Sequence, residues 1–344
     1  MQLLPILLTT FPLLPLTVAS PGCGHPLHPP PTPGASSSLL NLPSDHHSFP
    51  SRQYLLHLPA NYHIYSPLPL IIAFHGKDQT AQEFERQSEF SKPLLNTLGA
   101  LVAFPQGVGK MWTGDPEAPS RRERDDIGFA AALLDHLVNT YCIALERVYV
   151  VGFSNGGGLV DLLACDEGVS TRIAAAAIVS GAIYKDKSLK LEKGEKLFDV
   201  CRPRRVPVPV LEMHGSRDPV IHYDGKSTPD GETWPVEEWV QGWKVRNGCK
   251  EGEKPTWEGE VHGGSAKKRT WSCGVGAEKQ EVLVHYTIEG FGHGWPSIKR
   301  QEDDEKQRFG PVSWNATRDI VDFFGSKSLP SEWRVPGKWV RDEL

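Results

Sequence analysis

The stretch VYVVGFSNGGGLVDLLAC, Val148 to Cys165, sets a β-branched apolar run against a leucine-bearing stripe, with one serine among glycines at the junction. A short continuous apolar run reads as a strand buried on both faces. Leu159, Leu162 and Leu163 recur at helical spacing. A strand that turns abruptly into a helix would hold the side chain at the turn above the sheet edge. GFSNG, Gly152 to Gly156, fits G-x-S-x-G, the pattern of a strained strand–serine–helix turn. Gly152, Gly156 and Gly157 are needed there because side chains would collide with neighbouring backbone. A glycine at position 154 would turn more easily but would offer no nucleophile. Ser154 is therefore expected to be there for chemistry.

Outward from this turn the same alternation repeats. LPLIIAF (68–74), ALVAF (100–104), RVYVVGF (147–153), RIAAAAIVS (172–180), VPVPVLEM (206–213) and EVLVHYTI (281–288) are continuous apolar runs. Helical patterns lie between them. Thr80 and Glu83 form a capping box. From Asp126, the residues Ile127, Ala130, Ala131, Leu134, Leu137, Val138 and Tyr141 share a face. Val236, Trp239, Val240 and Trp243 do so after Pro235, with Gly248 as the stop. Strands alternating with helices predict a doubly wound, mostly parallel α/β sheet in a single domain.

A serine hydroxyl needs a base, and the base an acid to orient it. In this architecture the acid and then the histidine follow the serine in the chain, each just beyond a strand. HGSRDPVIHYDG offers Asp218 and Asp224, of which Asp218 lies immediately beyond its strand. FGHGWP places His293 on a glycine-flanked turn, with Trp295 expected to pack behind it. His75, His214 and His285 are competing histidines that break this order or fall within a strand. The oxyanion of an acyl-transfer intermediate needs two fixed N–H donors. Those expected are the backbone amides of Asn155 and of Lys77, in the loop after LIIAF. No H-E-x-x-H, C-x-x-C or phosphate-binding glycine loop is present, so neither metal nor cofactor is expected.

The 344 residues are 39% hydrophobic and 23% charged, with a net charge of −5. That balance opposes a nucleic-acid partner. Residues 1–20 are apolar, free of acids and end in small residues, which reads as a secretory signal peptide. No other segment is apolar for long enough to cross a bilayer. Residues 21–50 form a Pro/Ser-rich arm and lead-in, 51–326 the catalytic domain and 327–344 a tail. The six cysteines allow 15 pairings. Locality suggests Cys249–Cys273; Cys165, ending the nucleophile helix, would meet Cys201 before the next strand, and Cys23 would then staple the arm to Cys142. Asn315-Ala316-Thr317 is a glycosylation sequon. The terminal RDEL resembles endoplasmic-reticulum retrieval signals, so retention there stands beside extracellular export.

AFHGKDQTA, FPQGVGKMWTG, DDIGFAAALLDHL, YCIALERVYVVGFSNGGG, IVSGAIY, VLEMHGSRDPVIHYDG and IEGFGHGWPS resemble the fungal feruloyl esterases of types C and D. These belong to the first carbohydrate esterase family, with polyhydroxybutyrate depolymerases and acetylxylan esterases as relatives. The likeness runs from about Gly22 to Phe324, and Lys226 to Trp234 departs from the family pattern. It implies an α/β-hydrolase fold and a triad of Ser154, Asp218 and His293. It also implies a secreted esterase acting on plant cell-wall esters, such as feruloylated xylan or pectin. Acetylxylan esterase, polyester depolymerase and serine peptidase are alternatives within the class; a non-catalytic hydrolase-like binding protein is one outside it. A hydroxycinnamate ring needs an apolar slot, for which Trp112 and Trp234 are candidates, packing under loops being the other reading of each.

Overall fold

A computed structural model describes residues 17–28, 31–42, 52–118, 124–185, 201–228, 231–273, 280–299, 305–309 and 312–334. The strands are β1 (Ser38–Asn41), β2 (Gln53–His57), β3 (Leu68–Phe74), β4 (Leu101–Pro105), β5 (Ile143–Phe153) and β6 (Ala175–Val179). They continue with β7 (Val210–Gly215), β8 (Ser227–Thr228), β9 (Gly231–Glu232), β10 (Trp257–Val261), β11 (Ala266–Cys273) and β12 (Gln280–Ile288). Ten of them form one sheet in the order β1-β2-β4-β3-β5-β6-β7-β12-β11-β10, and β8 pairs with β9. The block from β4 to β12 is parallel. Antiparallel strands extend it at both ends.

The central strands are wholly buried, as their unbroken apolar sequences require, because helices cover both faces. On one face lie α1 (Ala81–Ser88) and the C-terminal helix Ala316–Gly325, whose Phe84, Ile320 and Phe324 join Ile71, Tyr149 and Val284. On the other lie α2 (Asp126–Thr140), α3 (Asn155–Cys165) and α4 (Val236–Arg246). Their Leu133, Leu159 and Trp239 pack with Ile72, Val150 and Val210. α1 opens on the expected capping box, with Glu83 N–H donating to Thr80 Oγ1 and Thr80 N–H to Glu83 Oε2. α3 and α4 are joined through a buried carboxylate: Asp161 Oδ1 accepts from the indole N–H of Trp239 at 2.9 Å and of Trp243 at 2.8 Å.

The sheet is wider than the apolar runs suggest. β1 lies inside the segment expected to be only an arm, where it pairs with β2. β10 (WEGEV) has no buried position and β11 carries two lysines among its exposed and half-buried positions, so no continuous run marks them. Prolines 207 and 209 lack the N–H a ladder needs, and β7 begins only at Val210. Val18 to Ser20 pack on the start of β5: Leu145 N–H donates to Val18 O, and Ser20 Oγ donates to Tyr141 O. Most of the apolar leader and the terminal RDEL lie outside the described residues.

Candidate active site

β5 ends at Phe153 and α3 begins at Asn155, so the whole change of direction falls on Ser154, at φ 52° and ψ −120°. For a residue with a side chain this backbone costs on the order of 1–3 kcal/mol and needs enforcement by its surroundings. Ser154 N–H donates to Val179 O, while Ser154 O accepts from Gly158 N–H and Ala182 N–H. Two glycines permit the close approach. A Cβ at Gly152 would lie 2.2 Å from Gly156 O, and one at Gly156 would lie 2.3 Å from Phe74 O and 2.4 Å from His75 O. The end of β3 is thus pressed against the first turn of α3.

Three strands deliver the polar partners. His293 Nε2 lies 2.9 Å from Ser154 Oγ, and His293 Nδ1 lies 2.8 Å from Asp218 Oδ2. With Nδ1–H donating to the carboxylate, Nε2 is left to accept the serine proton. Asp218 Oδ1 accepts from Val220 N–H and Ile221 N–H at 2.8 and 2.7 Å, so the acid is fixed on both oxygens. Burial pushes Asp218 up, but His293 and His214 outweigh it and hold the carboxyl below the usual range. The His293 turn is fastened by His293 N–H to Gln307 O and Gly292 N–H to Arg308 O. Asp224, the other candidate acid, is exposed. Trp295 is buried edge-on to Phe84 and Phe90, with its indole N–H on Thr317.

Lys77 lies in the loop directly after β3, and Asn155 is the first residue of α3. His75 shapes this loop. Its Nδ1 lies 2.7 Å from Gly76 O and its Nε2 accepts from Gly107 N–H at 2.9 Å. Burial pushes its pKa down to about 4, so the ring is a neutral structural link.

Of the two readings of Trp112, ring slot or packing under its loop, its surroundings support packing. It is fully buried, edge-on to Phe74, stacked near Phe129 and beside the Arg52 guanidinium. Its indole N–H donates to His75 O at 2.9 Å. No face is left for a substrate ring, and the residue instead braces the loop beside the serine turn. Trp234 is half-buried, with its N–H on Ile183 O and Lys185 Nζ 4.8 Å from its ring. Ala182, one residue before Ile183, donates to Ser154 O, which brings the Trp234 segment to the nucleophile's side.

No protein-family model matches the chain. Feruloyl esterase D of Neurospora crassa is 24% identical over 282 residues, covering 75% of this chain and 86% of that one. Feruloyl esterase B of Piromyces equi is 28% identical over 207 residues, covering 58% of this chain and 36% of that one. The match thus spans about a third of the longer Piromyces protein. The solved acetyl xylan esterase from Aspergillus awamori superposes with a TM-score of 0.55 at 16% identity, over 78% of this chain and 98% of that one. The chain has the α/β-hydrolase fold and is similar in sequence to the feruloyl esterases.

The hydrolase body carries three disulfides, Cys23–Cys142, Cys165–Cys201 and Cys249–Cys273, the pairs expected from the sequence. Glu253 lies beside the last pair, but both sulfurs there are bonded to each other and cannot serve as thiolate ligands. Asn315 of the sequon is half-buried at the N-cap position of the C-terminal helix, where its side chain makes no capping bond and its Oδ1 accepts from Ile298 N–H. Among the described residues no helix is long and apolar enough to cross a membrane. One part of the site was missed from sequence. Behind Asp218 lies a buried row of His214, Glu212 and His285, whose two competing histidines had been set aside as structural. The available signal was polar: Glu212 and His214 share one face of an otherwise apolar strand.

Proposed function

We propose that the protein is a secreted serine carboxylic-ester hydrolase that releases ferulic or related hydroxycinnamic acids from plant cell-wall polysaccharides. The observation that carries this reading is the unbroken Ser154–His293–Asp218 hydrogen-bond line at the apex of the strained turn. In the first half-reaction Ser154 Oγ attacks the ester carbonyl while its proton passes to His293 Nε2. The amides of Lys77 and Asn155 take the oxyanion. The tetrahedral adduct collapses, the C–O bond breaks, and His293 returns the proton to the departing sugar alkoxide. Water, deprotonated by His293, then repeats the sequence on the acyl-enzyme and frees the acid and the serine. Throughout, Asp218 holds the imidazole and balances its transient charge. The apolar leader and three disulfides support export into an oxidising compartment.

Burial of Trp112 favours a second reading, an acetylxylan esterase, because it removes one of two ring faces from the hydroxycinnamate slot. Trp234 remains as the aromatic wall. A panel of methyl ferulate, acetylated xylan and nitrophenyl acetate separates the readings. Ferulate release abolished by Ser154→Ala is the expected result. Activity on the two acetyl esters alone would select the acetylxylan reading. Failure of a fluorophosphonate to label Ser154 would remove the hydrolase mechanism altogether.

A further inference from the structure

The catalytic acid of the proposed triad is the first member of a longer buried row. On the side away from His293, His214 Nε2 lies 3.4 Å from Asp218 Oδ2 and 2.8 Å from Ile221 O. His214 Nδ1 lies 2.9 Å from Glu212 Oε1. Glu212 Oε2 lies 2.6 Å from His285 Nδ1, in a contact bent away from the ideal hydrogen-bond direction. The parallel pairing of β7 with β12 makes this possible, since it sets Glu212 opposite His285 and His214 opposite Thr287. All three titratable side chains are buried.

The acceptors fix the protons. A carbonyl oxygen only accepts, so His214 Nε2 carries a hydrogen directed at Ile221 O. His214 and His285 outweigh burial and keep Glu212 ionised, so His214 Nδ1 carries a hydrogen as well. His214 is therefore an imidazolium inside the core. Burial opposes that charge, but the hydrogen bonds and field of Asp218 and Glu212 overcome it and raise the group to about 10. Every element around the ring is accounted for. Glu212 comes from β7, Asp218 from the turn after it, and His285 and Thr287 from β12. Tyr223 lies edge-on at 5.9 Å, with its hydroxyl 3.0 Å from His285 Nε2 and donating to Glu237 of α4, which pairs with Arg269 of β11.

We propose that His214 and Glu212 are positioning residues: a buried imidazolium–carboxylate pair that fixes the Asp218 turn and sets the pH at which His293 becomes a base. The inference rests on the reading of Ser154, Asp218 and His293 as the hydrolytic machinery. Two effects combine. His214 holds Ile221 O while Ile221 N–H holds Asp218 Oδ1, so the cation and the acid grip opposite ends of one residue. The cation also approaches the same Asp218 oxygen that receives His293. Its field opposes a second positive charge on His293, and Glu212 offsets that field from behind. Removing the cation must raise the His293 titration, and removing the anion must lower it.

The test is a histidine titration by 15N NMR on the full chain, in the parent, His214→Gln and Glu212→Gln, with pH profiles of kcat/KM on nitrophenyl acetate beside it. In the parent, one imidazole remains doubly protonated at pH 8, and its signal is missing from His214→Gln. The His293 midpoint and the acid limb of kcat/KM move up in His214→Gln and down in Glu212→Gln. A neutral His214 at pH 8, or a His293 midpoint that stays put or moves the same way in both variants, overturns the inference. A purely structural role would lower kcat without moving the limb. If His214→Gln fails to fold, the parent spectrum and Glu212→Gln still decide. Opposite midpoint shifts in a chain lacking Ser154-dependent turnover would overturn the hydrolase reading and leave the electrostatic coupling standing.

Discussion

Trp112 and Asn155 hold each other twice: Trp112 N–H donates to Asn155 Oδ1 at 2.7 Å, and Asn155 Nδ2 donates to Trp112 O at 3.1 Å. The residue after the serine is thereby tied to the loop that follows β4. Trp112→Phe keeps most of the packing but leaves His75 O without its indole donor. A cost of about 1–3 kcal/mol is expected from urea unfolding. Efficiency on methyl ferulate and nitrophenyl acetate should fall by the same factor, because the ring faces no substrate.

Trp234 should behave differently. Trp234→Ala is expected to lower efficiency on methyl ferulate roughly two- to tenfold more than on nitrophenyl acetate, corresponding to about 0.5–1.5 kcal/mol of ring stacking. Steady-state comparison of the two substrates checks it. Equal losses would assign this ring, too, to packing.

For the triad, Ser154→Ala and His293→Ala are each expected to remove several orders of magnitude of kcat, and the double variant little more, since the residues act as a unit. Asp218→Asn should cost on the order of 10⁴ by presenting the wrong imidazole tautomer. More than a few per cent residual activity in Ser154→Ala would contradict the assignment.

Stability should fall on both sides of neutrality. His214 is raised to about 10 in the folded chain by Asp218 and Glu212, above the ordinary 6.5, so its contribution is full below pH 6.5 and fades as pH rises toward 10. His75 is depressed to about 4, so its neutral form favours folding at neutral pH and loses that advantage as pH drops from 6.5 to 4. Urea midpoints at pH 5, 7 and 9.5 read both limbs. The alkaline loss should be much smaller in His214→Gln.

The disulfides rank by the chain they enclose. Cys23–Cys142 spans 119 residues, against 36 for Cys165–Cys201 and 24 for Cys249–Cys273. Loop-closure entropy gives about 5 kcal/mol for the first and about 3–4 for each of the others. Paired Cys→Ser variants should lose unfolding free energy in that order.

The sequence made the buried strands readable because strands covered on both faces are made mostly of apolar residues. The triad was readable because its order follows from the sheet: each member sits just past a strand end. Trp112 stayed open between two readings because sequence locates a tryptophan in a loop without saying which way the ring turns. Here Arg52, Phe129 and His75 O draw it inward. His214 and His285 were passed over because their meaning depends on the β7–β12 register, which sets His285 against Glu212 across a gap of 73 positions in the chain (285 minus 212). The edge strands were invisible for the opposite reason, since half their side chains face water.

Ser154 and His293 are 139 residues apart, and they meet only after β12 has docked on β7. Such distant pairings form late, because the intervening chain must be gathered before any contact rewards it. A polypeptide made from its N-terminus therefore completes the serine turn long before it possesses a base. Until the last strand enters the sheet, Ser154 has no imidazole beside it, and the hydrolytic competence proposed for this site arrives in one step with the finished fold.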